Sequence, residues 1–592
     1  MIPNIKPPIV ALHLMLGFWL CAAGSGARGA TLEIRITPKY SGEPIQLNSL
    51  RYRNADRETF SISRVSYVLS GFALQRCDGS WLEVTNRVAW LDAEQGRHTL
   101  RLENLPSDSY RSVRFHFGPD KSDNHADVAR FPADHPLNPN LNGLHWSWQG
   151  GYIFLALEGR WRTNATLDGW SYHLARDPNR TRINLATPLD LTSDARLELD
   201  FDLATLLNAP RSLTFGKAGS STHSREGDPI AAALVANLPG AFHVQRVSAM
   251  AAEVVAAALL KPLYLPERFT PYPFQMSATF PIPPLPKDNP LTKERVALGK
   301  KLFHETGISR NGTISCATCH DGKHAFAESR QYSIGVAEQV GTRNAMPLFN
   351  LAWKASFFWD GRAPTLRAQA LLPIQDHTEM DESLTNVCAK LATAYAAHFE
   401  VAFGSSEITP QKIGLAIENY LLTLTSFDSK FDRALQGQAQ LTAAEQRGFE
   451  LFMTEYDPRR EQYGADCFHC HGGPLFHSQT FANNGLDAEF KDLGRAKVTG
   501  KASDRGKFAT PSLRNIALTA PYMHDGRFAT LETVVEHYSS GVLRSPTLDP
   551  NLAKHPDGGV PLSAVDQQAL VAFLKTLTDE KFLFTRAPTS TP

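Results

Sequence analysis

The chain has 592 residues, too many for one hydrophobic core, so several domains are expected. Hydrophobic residues make up 42% and charged residues 20%, the balance of a globular protein and not of a disordered or fibrous one. Lys plus Arg and Asp plus Glu both number 60, and this zero net charge offers neither a nucleic-acid footprint nor a polybasic membrane patch.

The chain opens "MIPNIKPPIVALHLMLGFWLCAAGSGARGATLEI". Lys6 precedes an apolar stretch from Ile9 to Ala23, followed by small residues near Ala27 to Ala30. The stretch is too short to cross a bilayer, so residues 1–30 read as a signal peptide. Cys21 follows Leu20, a poor lipobox, and no other stretch is apolar enough to span. The mature protein is expected in the periplasm, without a transmembrane segment. Of seven cysteines, Cys21 leaves with the signal, four fall in two C-x-x-C-H runs, and Cys77 and Cys388 remain. A disulfide framework is therefore not the organising principle.

Residues 31–240 read as an all-β sandwich. "TLEIRIT" alternates Leu32, Ile34 and Ile36 against Glu33 and Arg35; "SVRFHFG" and "RLELDFDL" repeat the pattern. Residues 241–290 read as a linker, a short helix in "SAMAAEVVAAALLK" followed by an extended proline-rich stretch. From 291 the period is helical, giving a mainly α, two-lobed unit split at 291–435 and 436–592. Thr442 with Glu445 suggests a capping box. "LSAVDQQALVAFLKTL" puts Val565, Ala569, Leu570, Phe573, Leu574 and Leu577 on one helical face. The lobes echo each other: Gly299, Leu302 and Phe303 in "LTKERVALGKKLFHE" match Gly448, Leu451 and Phe452 in "LTAAEQRGFELFMTE".

Each echo leads into a C-x-x-C-H run, the attachment signal of a c-type haem. Two thiols at this spacing bond the haem vinyl groups, and the adjacent imidazole falls beneath the iron. Cys316, Cys319 and His320 in "ISCATCHDGK" would carry one haem. Cys467, Cys470 and His471 in "GADCFHCHGG" would carry a second. With seven cysteines and twenty histidines, chance yields about 0.003 such runs. A zinc site more often pairs two C-x-x-C units and has no need of the trailing histidine. His469, inside the second run, reads as a solvated residue.

"RNAMPLFNLAWKASFFWDGRAPTLRAQALLPIQDHTEM" and "TPSLRNIALTAPYMHDGRFATLETVVEHYSSG" resemble the di-haem cytochrome c peroxidase and MauG family, over about 290 to 585. The resemblance implies that the first haem meets hydrogen peroxide. Members that need reductive activation carry a removable distal histidine in the loop that here reads "YSIGVAEQVGTRN". Val336 stands at that position, so the distal face is expected open. Glu379 matches the distal carboxylate, which can take a proton from peroxide and return it, and Gln369 a neighbouring polar group. Trp359 matches the tryptophan that relays electrons between the haems. The sixth ligand of the second haem is a methionine in conventional peroxidases and a tyrosine in MauG-like members. Tyr538 stands there, a hard anionic donor, with Met523 a weaker substitute and His524 a structural neighbour. Asn344, Thr519 and Pro521 match positions that hold calcium between the lobes.

In the front part, "NHAD", "HPLN", "HWSWQGGY" and "YHLA" resemble MbnP, a periplasmic copper-associated family paired with a MauG-like di-haem enzyme. The resemblance implies a copper site, with His125 and His173 the first candidates and His98, His116, His135 and His145 further ones. It also implies a tryptophan oxidised to kynurenine, either Trp146 or Trp148. A W-x-W on a strand would put both rings on one face. Two departures are that only Cys77 remains where many relatives carry several cysteines, and that His145 stands where relatives often have Met. The first reading is thus a peroxide-driven enzyme fused to its own substrate. The second is a conventional peroxidase drawing on a small periplasmic electron-transfer protein, against which Tyr538 and Val336 count. The third is a copper-binding electron carrier without peroxidase activity, against which Glu379 and Gln369 count.

Overall fold

The computed structural model describes residues 29–146, 150–163, 166–250, 263–580 and 582. The expected signal peptide up to residue 28, most of the helix expected after Ser248, and Trp148 lie outside the described residues. Among the described residues no helix is long and apolar enough to cross a membrane.

The front part is a two-sheet β-sandwich. In the first sheet β1 (Ala30–Tyr40) has β4 (Thr99–Leu105) antiparallel on one side. On the other side it pairs in parallel with β9 (Ala195–Asp202), from Leu32 opposite Ala195 to Lys39 opposite Asp202. The alternation read from the sequence puts Leu32, Ile34, Ile36, Leu197 and Phe201 fully inside. Glu33, on the outer face, is bridged by Arg101 at 2.9 Å and Arg196 at 2.7 Å. β10 (Phe242–Ala249) completes this sheet against β9, so the front domain runs past residue 240 and the linker begins later than expected.

The second sheet is organised on the long β2 (Thr59–Arg76), which pairs with β3 (Trp81–Asp92), β5 (Ser109–Phe117) and β6 (Ile153–Arg162). β8 (Thr181–Asp190) flanks β5, and β7 (Leu167–Ala175) flanks β6. Aromatic rings join the sheets, with Tyr67 5.2 Å from Phe201 and Phe115 5.3 Å from Phe242. β6 and β7 are buried on both faces, unlike an ordinary sandwich strand. Trp170, Tyr172 and Leu174 fill the sandwich core. Ser171, His173, Glu158 and Arg160, on the other face, are buried polar groups. They are buried because the second helical lobe lies on them: Arg160 donates to Ser545 O at 3.0 Å and Pro546 O at 2.8 Å, and Arg460 pairs with Asp228 at 2.8 Å.

The helical part is a duplicated unit. In the first lobe α1 (Lys293–His304) crosses α4 (Pro410–Leu422), with α2 (Leu366–Gln375) and α3 (Leu384–Phe403) around them. In the second lobe α5 (Ala443–Met453), opened by the Thr442–Glu445 capping box, crosses α7 (Ala564–Lys575), beside α6 (Leu531–Glu536). The matched glycines explain the echo. A Cβ on Gly299 would lie 1.9 Å from Ala416 O, and one on Gly448 2.0 Å from Ala569 O. Each helix pair crosses with backbones touching at that point. On α7 the expected face is buried except Val565, which is 73% exposed in the opening turn.

The lobes exchange edges. Residues 430–435 belong to the second lobe: Phe431 packs in its core, and Asp432 forms a buried pair with Arg514 at 2.7 Å. Phe582 packs in the core of the first. The split therefore falls upstream of residue 436. The proline-rich segment from 263 is extended as expected, yet it is no free spacer: Trp353 donates to Pro281 O at 2.7 Å, and Arg367 pairs with Asp288 at 2.8 Å.

Candidate functional site

The first C-x-x-C-H run forms one wall of a cavity. Cys316, Cys319 and His320 line it together with Gln369, Pro373, Glu379 and Met380. Gln369 and Pro373 are one turn apart on α2, so both face the cavity. His320 Nδ1 donates to Phe326 O at 2.9 Å, which keeps a proton off Nε2 and leaves it a lone pair. Burial pushes the Cys316 thiol up to about 12 and Cys319 to about 11, so neither is a free nucleophile. Paired thiols, a fixed imidazole and a cavity in front of them fit a covalently attached haem.

Glu379 sits in the turn after α2. Burial, then the neighbouring Asp376, pushes its carboxyl up to about 7. Gly335 and Val336 clamp the loop after the first run onto this turn: Val336 N–H donates to Glu379 O at 2.8 Å. A Cβ on Gly335 would lie 2.1 Å from Thr378 O. Val336, at the position of the removable histidine, is buried in the lobe core, and its side chain has no atom that could ligate iron.

The second run differs in what faces it. His471 Nδ1 donates to Pro511 O at 3.1 Å, and burial pushes this imidazole down to about 4. Tyr538, on a π-helical segment His537–Gly541 that continues α6, lies close to Cys467 and Cys470. Asn484 Nδ2 reaches both Tyr538 Oη at 3.2 Å and Met523 Sδ at 3.4 Å. The two candidate sixth ligands therefore converge on one point, with the phenol pushed up to about 12 by burial. These residues also fit a haem, here with both faces provided for.

Trp359 lies at the seam of the lobes. Its indole N–H donates to Asn344 O at 2.9 Å, and its carbonyl accepts from Ala509 N–H at 2.7 Å. Asn344 N–H in turn donates to His524 O at 2.9 Å, which brings it to the loop holding Thr519 and Pro521. Asn344 and Thr519 are buried. His524 stacks on Phe508 with centroids 3.7 Å apart, the structural place expected for it.

The two copper candidates are not brought together. His125 is half exposed and pairs with Asp177 at 2.9 Å. His173 is buried and joins His223 and His469 instead, the one such metal-competent group among the described residues. His469 is no solvated residue; its side chain is 4% exposed, against Asp466. His223 was not marked by any local pattern, and neither were Glu455, Asp466 and Lys554, which surround it in a buried ionic cluster. Trp146 is not on a strand: its N–H donates to Gly151 O at 2.9 Å and its carbonyl accepts from Gly150 N–H at 3.0 Å. Its half-buried ring packs against both the sandwich core and the second-lobe core. It lies 5.5 Å from the His223 ring, and His223 lies 4.8 Å from His469 and 5.7 Å from Phe468, both inside the second haem-attachment run.

A duplicated helical unit with two C-x-x-C-H motifs, docked on a β-sandwich, defines a two-haem c-type oxidoreductase with a fused sandwich domain. The di-haem cytochrome c peroxidase family model matches residues 293–440, and the MbnP model matches 29–224. The methylamine utilization protein MauG of Methylorubrum extorquens is 38% identical over 303 residues, 50% of this chain and 82% of its own. The cytochrome c551 peroxidase of Nitrosomonas europaea is 34% identical over 314 residues, 52% of this chain and 86% of its own. A crystal structure of a MauG-like protein associated with microbial copper homeostasis is 35% identical, covering 53% of this chain and 97% of that one, with a TM-score of 0.48. The chain belongs to the di-haem cytochrome c peroxidase and MauG family, and its front part matches the MbnP family model. It is a haem-dependent, peroxidase- or MauG-like oxidoreductase.

Proposed function

We propose that this oxidoreductase uses hydrogen peroxide to oxidise its own front domain, and that Trp146 is the tryptophan converted to kynurenine. The observation that carries this is the ring path from the second haem motif through His469 and His223 to Trp146, with centroid steps of 4.8 and 5.5 Å. When bound, the two haems supply peroxide activation and storage of oxidising equivalents. The rest is done by the chain. Glu379, with a carboxyl near 7, takes a proton from peroxide at the cavity and returns it to the departing oxygen. Gln369 orients the peroxide from the same wall. Trp359 passes electrons across the seam, and Tyr538 caps the second site. Trp146 is the terminal electron donor. Two peroxides each accept two electrons, two oxygen atoms end in the opened indole ring, two waters form, and hydrolysis releases formate. Asn344, Thr519 and Pro521 hold calcium at the seam in this reading, and the chain works in the periplasm.

The test is peptide mass spectrometry of haem-loaded protein before and after peroxide. A tryptophan-to-kynurenine mass change on the peptide containing Trp146, absent in Trp146→Phe, is expected. An unchanged mass, or a change confined to Trp148, overturns the assignment. Met523, held with Tyr538 around Asn484, favours the conventional alternative of a peroxidase fed by a small redox protein. Fast oxidation of a reduced small cytochrome, with Trp146 intact, is the result that reading requires.

A further inference from the structure

A kynurenine made from Trp146 needs oxygen atoms that the indole does not have, and two separate cavities bear on their source. Peroxide meets the first lobe, in the cavity beside Glu379 and Gln369. Trp146 lines another cavity, where the sandwich, the proline-rich segment and the second lobe meet. Asn140 lines it from the sandwich, Pro281 from the segment, and His477, Gln479 and Asn551 from the second lobe. The two cavities share no lining residue. Cys467, Cys470, His471 and Tyr538 do not line the junction cavity either, so it lies outside the second haem site. Electrons cross such a separation through packed rings, whereas an oxygen atom has to arrive as a molecule beside the ring it joins.

The side chains at the junction select that molecule. Both ring nitrogens of His477 and the side-chain oxygen of Asn551 are buried without a hydrogen-bond partner. Buried polar groups of native proteins are bonded to protein or to ordered water. A neutral imidazole offers one donor and one acceptor, and an amide oxygen accepts. Water satisfies this mixed, uncharged set, and an ion of either sign does not. Gln479 Nε2 donates to Asn140 Oδ1 at 3.1 Å, which ties the second-lobe wall to the sandwich wall. We propose that the junction cavity binds the water that supplies both oxygen atoms to the Trp146 ring, with His477 and Asn551 as positioning residues. This rests on the reading of Trp146 as the oxidised residue and names its co-substrate. In each of two rounds the indole loses two electrons, which reduce one peroxide in the first lobe to two waters, and one cavity water adds its oxygen to the oxidised ring. One C–O bond forms at C2 and one at C3, and the C2–C3 bond breaks. The four protons released match the four that two peroxides take up. The sum is one indole and two peroxides giving N-formylkynurenine and two waters, and hydrolysis then releases formate.

The test is isotope labelling of the full-length, haem-loaded protein, read by mass spectrometry of the Trp146 peptide. Ordinary peroxide in water enriched in oxygen-18 should give N-formylkynurenine with two heavy oxygens. Enriched peroxide, or enriched dioxygen, in ordinary water should give none. Product made in ordinary water and then held in enriched water corrects for carbonyl exchange. His477→Leu, checked for an unchanged haem spectrum, should slow product formation about 5–10-fold, the scale of one lost hydrogen bond. His477→Gln, which restores a donor and an acceptor, should recover the rate. Heavy oxygen taken from peroxide or dioxygen, or a His477→Leu rate equal to the parent's, overturns the proposal alone. A Trp146 peptide that stays unmodified overturns the Trp146 reading and the proposal with it.

Discussion

The two haem-attachment sites start from the same five-residue motif and the same helix pair, crossing at Gly299 in one lobe and Gly448 in the other. They differ in what the rest of the chain puts opposite the motif. The first faces a cavity with a buried acid, Glu379, and an inert Val336. The second faces Tyr538 and Met523, and the sandwich domain covers the edge of its motif. Duplication supplied two equivalent attachment sites. A few opposing residues then differ: one site has a cavity beside a buried acid, the other a phenol, a thioether and a protein neighbour. A motif therefore says that a haem is held, and its surroundings say what the haem does.

That contrast can be broken at its strongest point first. Glu379→Gln removes the proton carrier while keeping the shape, so peroxide turnover should fall by about 10²–10⁴-fold with both haems still attached. Stopped-flow spectroscopy measures this, and a change under threefold would assign the proton work elsewhere. The duplicated crossings are the next target. Gly299→Ala and Gly448→Ala each force a methyl against a backbone carbonyl that cannot rotate away, so each should lose about 1–3 kcal/mol in chemical denaturation. Equal losses sharpen the view that the lobes share one architecture; a loss in only one breaks it. The third effect is on pH. A base whose carboxyl is raised to about 7 is active only when deprotonated, so the peroxide rate should rise through pH 7 and fall about tenfold per unit below it. This limb should vanish in Glu379→Gln. The smallest effect on peroxide consumption is expected from Tyr538→Met. It should alter the spectrum of the second haem and stop Trp146 oxidation while leaving the first encounter with peroxide nearly unchanged. An unaltered spectrum would remove Tyr538 from the second site.

Much of this was readable in advance, for stated reasons. Haem attachment is a local covalent pattern, so Cys316, Cys319, Cys467 and Cys470 declare it without reference to the fold. Strands covered on one face alternate, so Leu32, Ile34 and Ile36 declared theirs. β6 and β7 broke that rule because their outer face is also covered, and no local period records which partner covers it. Val565 fits the helical face by spacing yet lies in a turn that nothing packs on. His469 looked solvated because the haem motif explains its neighbours and leaves it over.

By itself, then, the sequence determined the two haem attachment points, the sandwich and the duplicated helical unit, because covalent spacing and hydrophobic period are properties of short segments. Only the tertiary structure decided which residues meet at the junction. His223 and His469 are 246 positions apart, and their 2.7 Å contact exists because one sheet face and one lobe bury their polar groups against each other. That burial removes the water that would otherwise satisfy those groups, and so obliges histidine, carboxylate and lysine to satisfy one another.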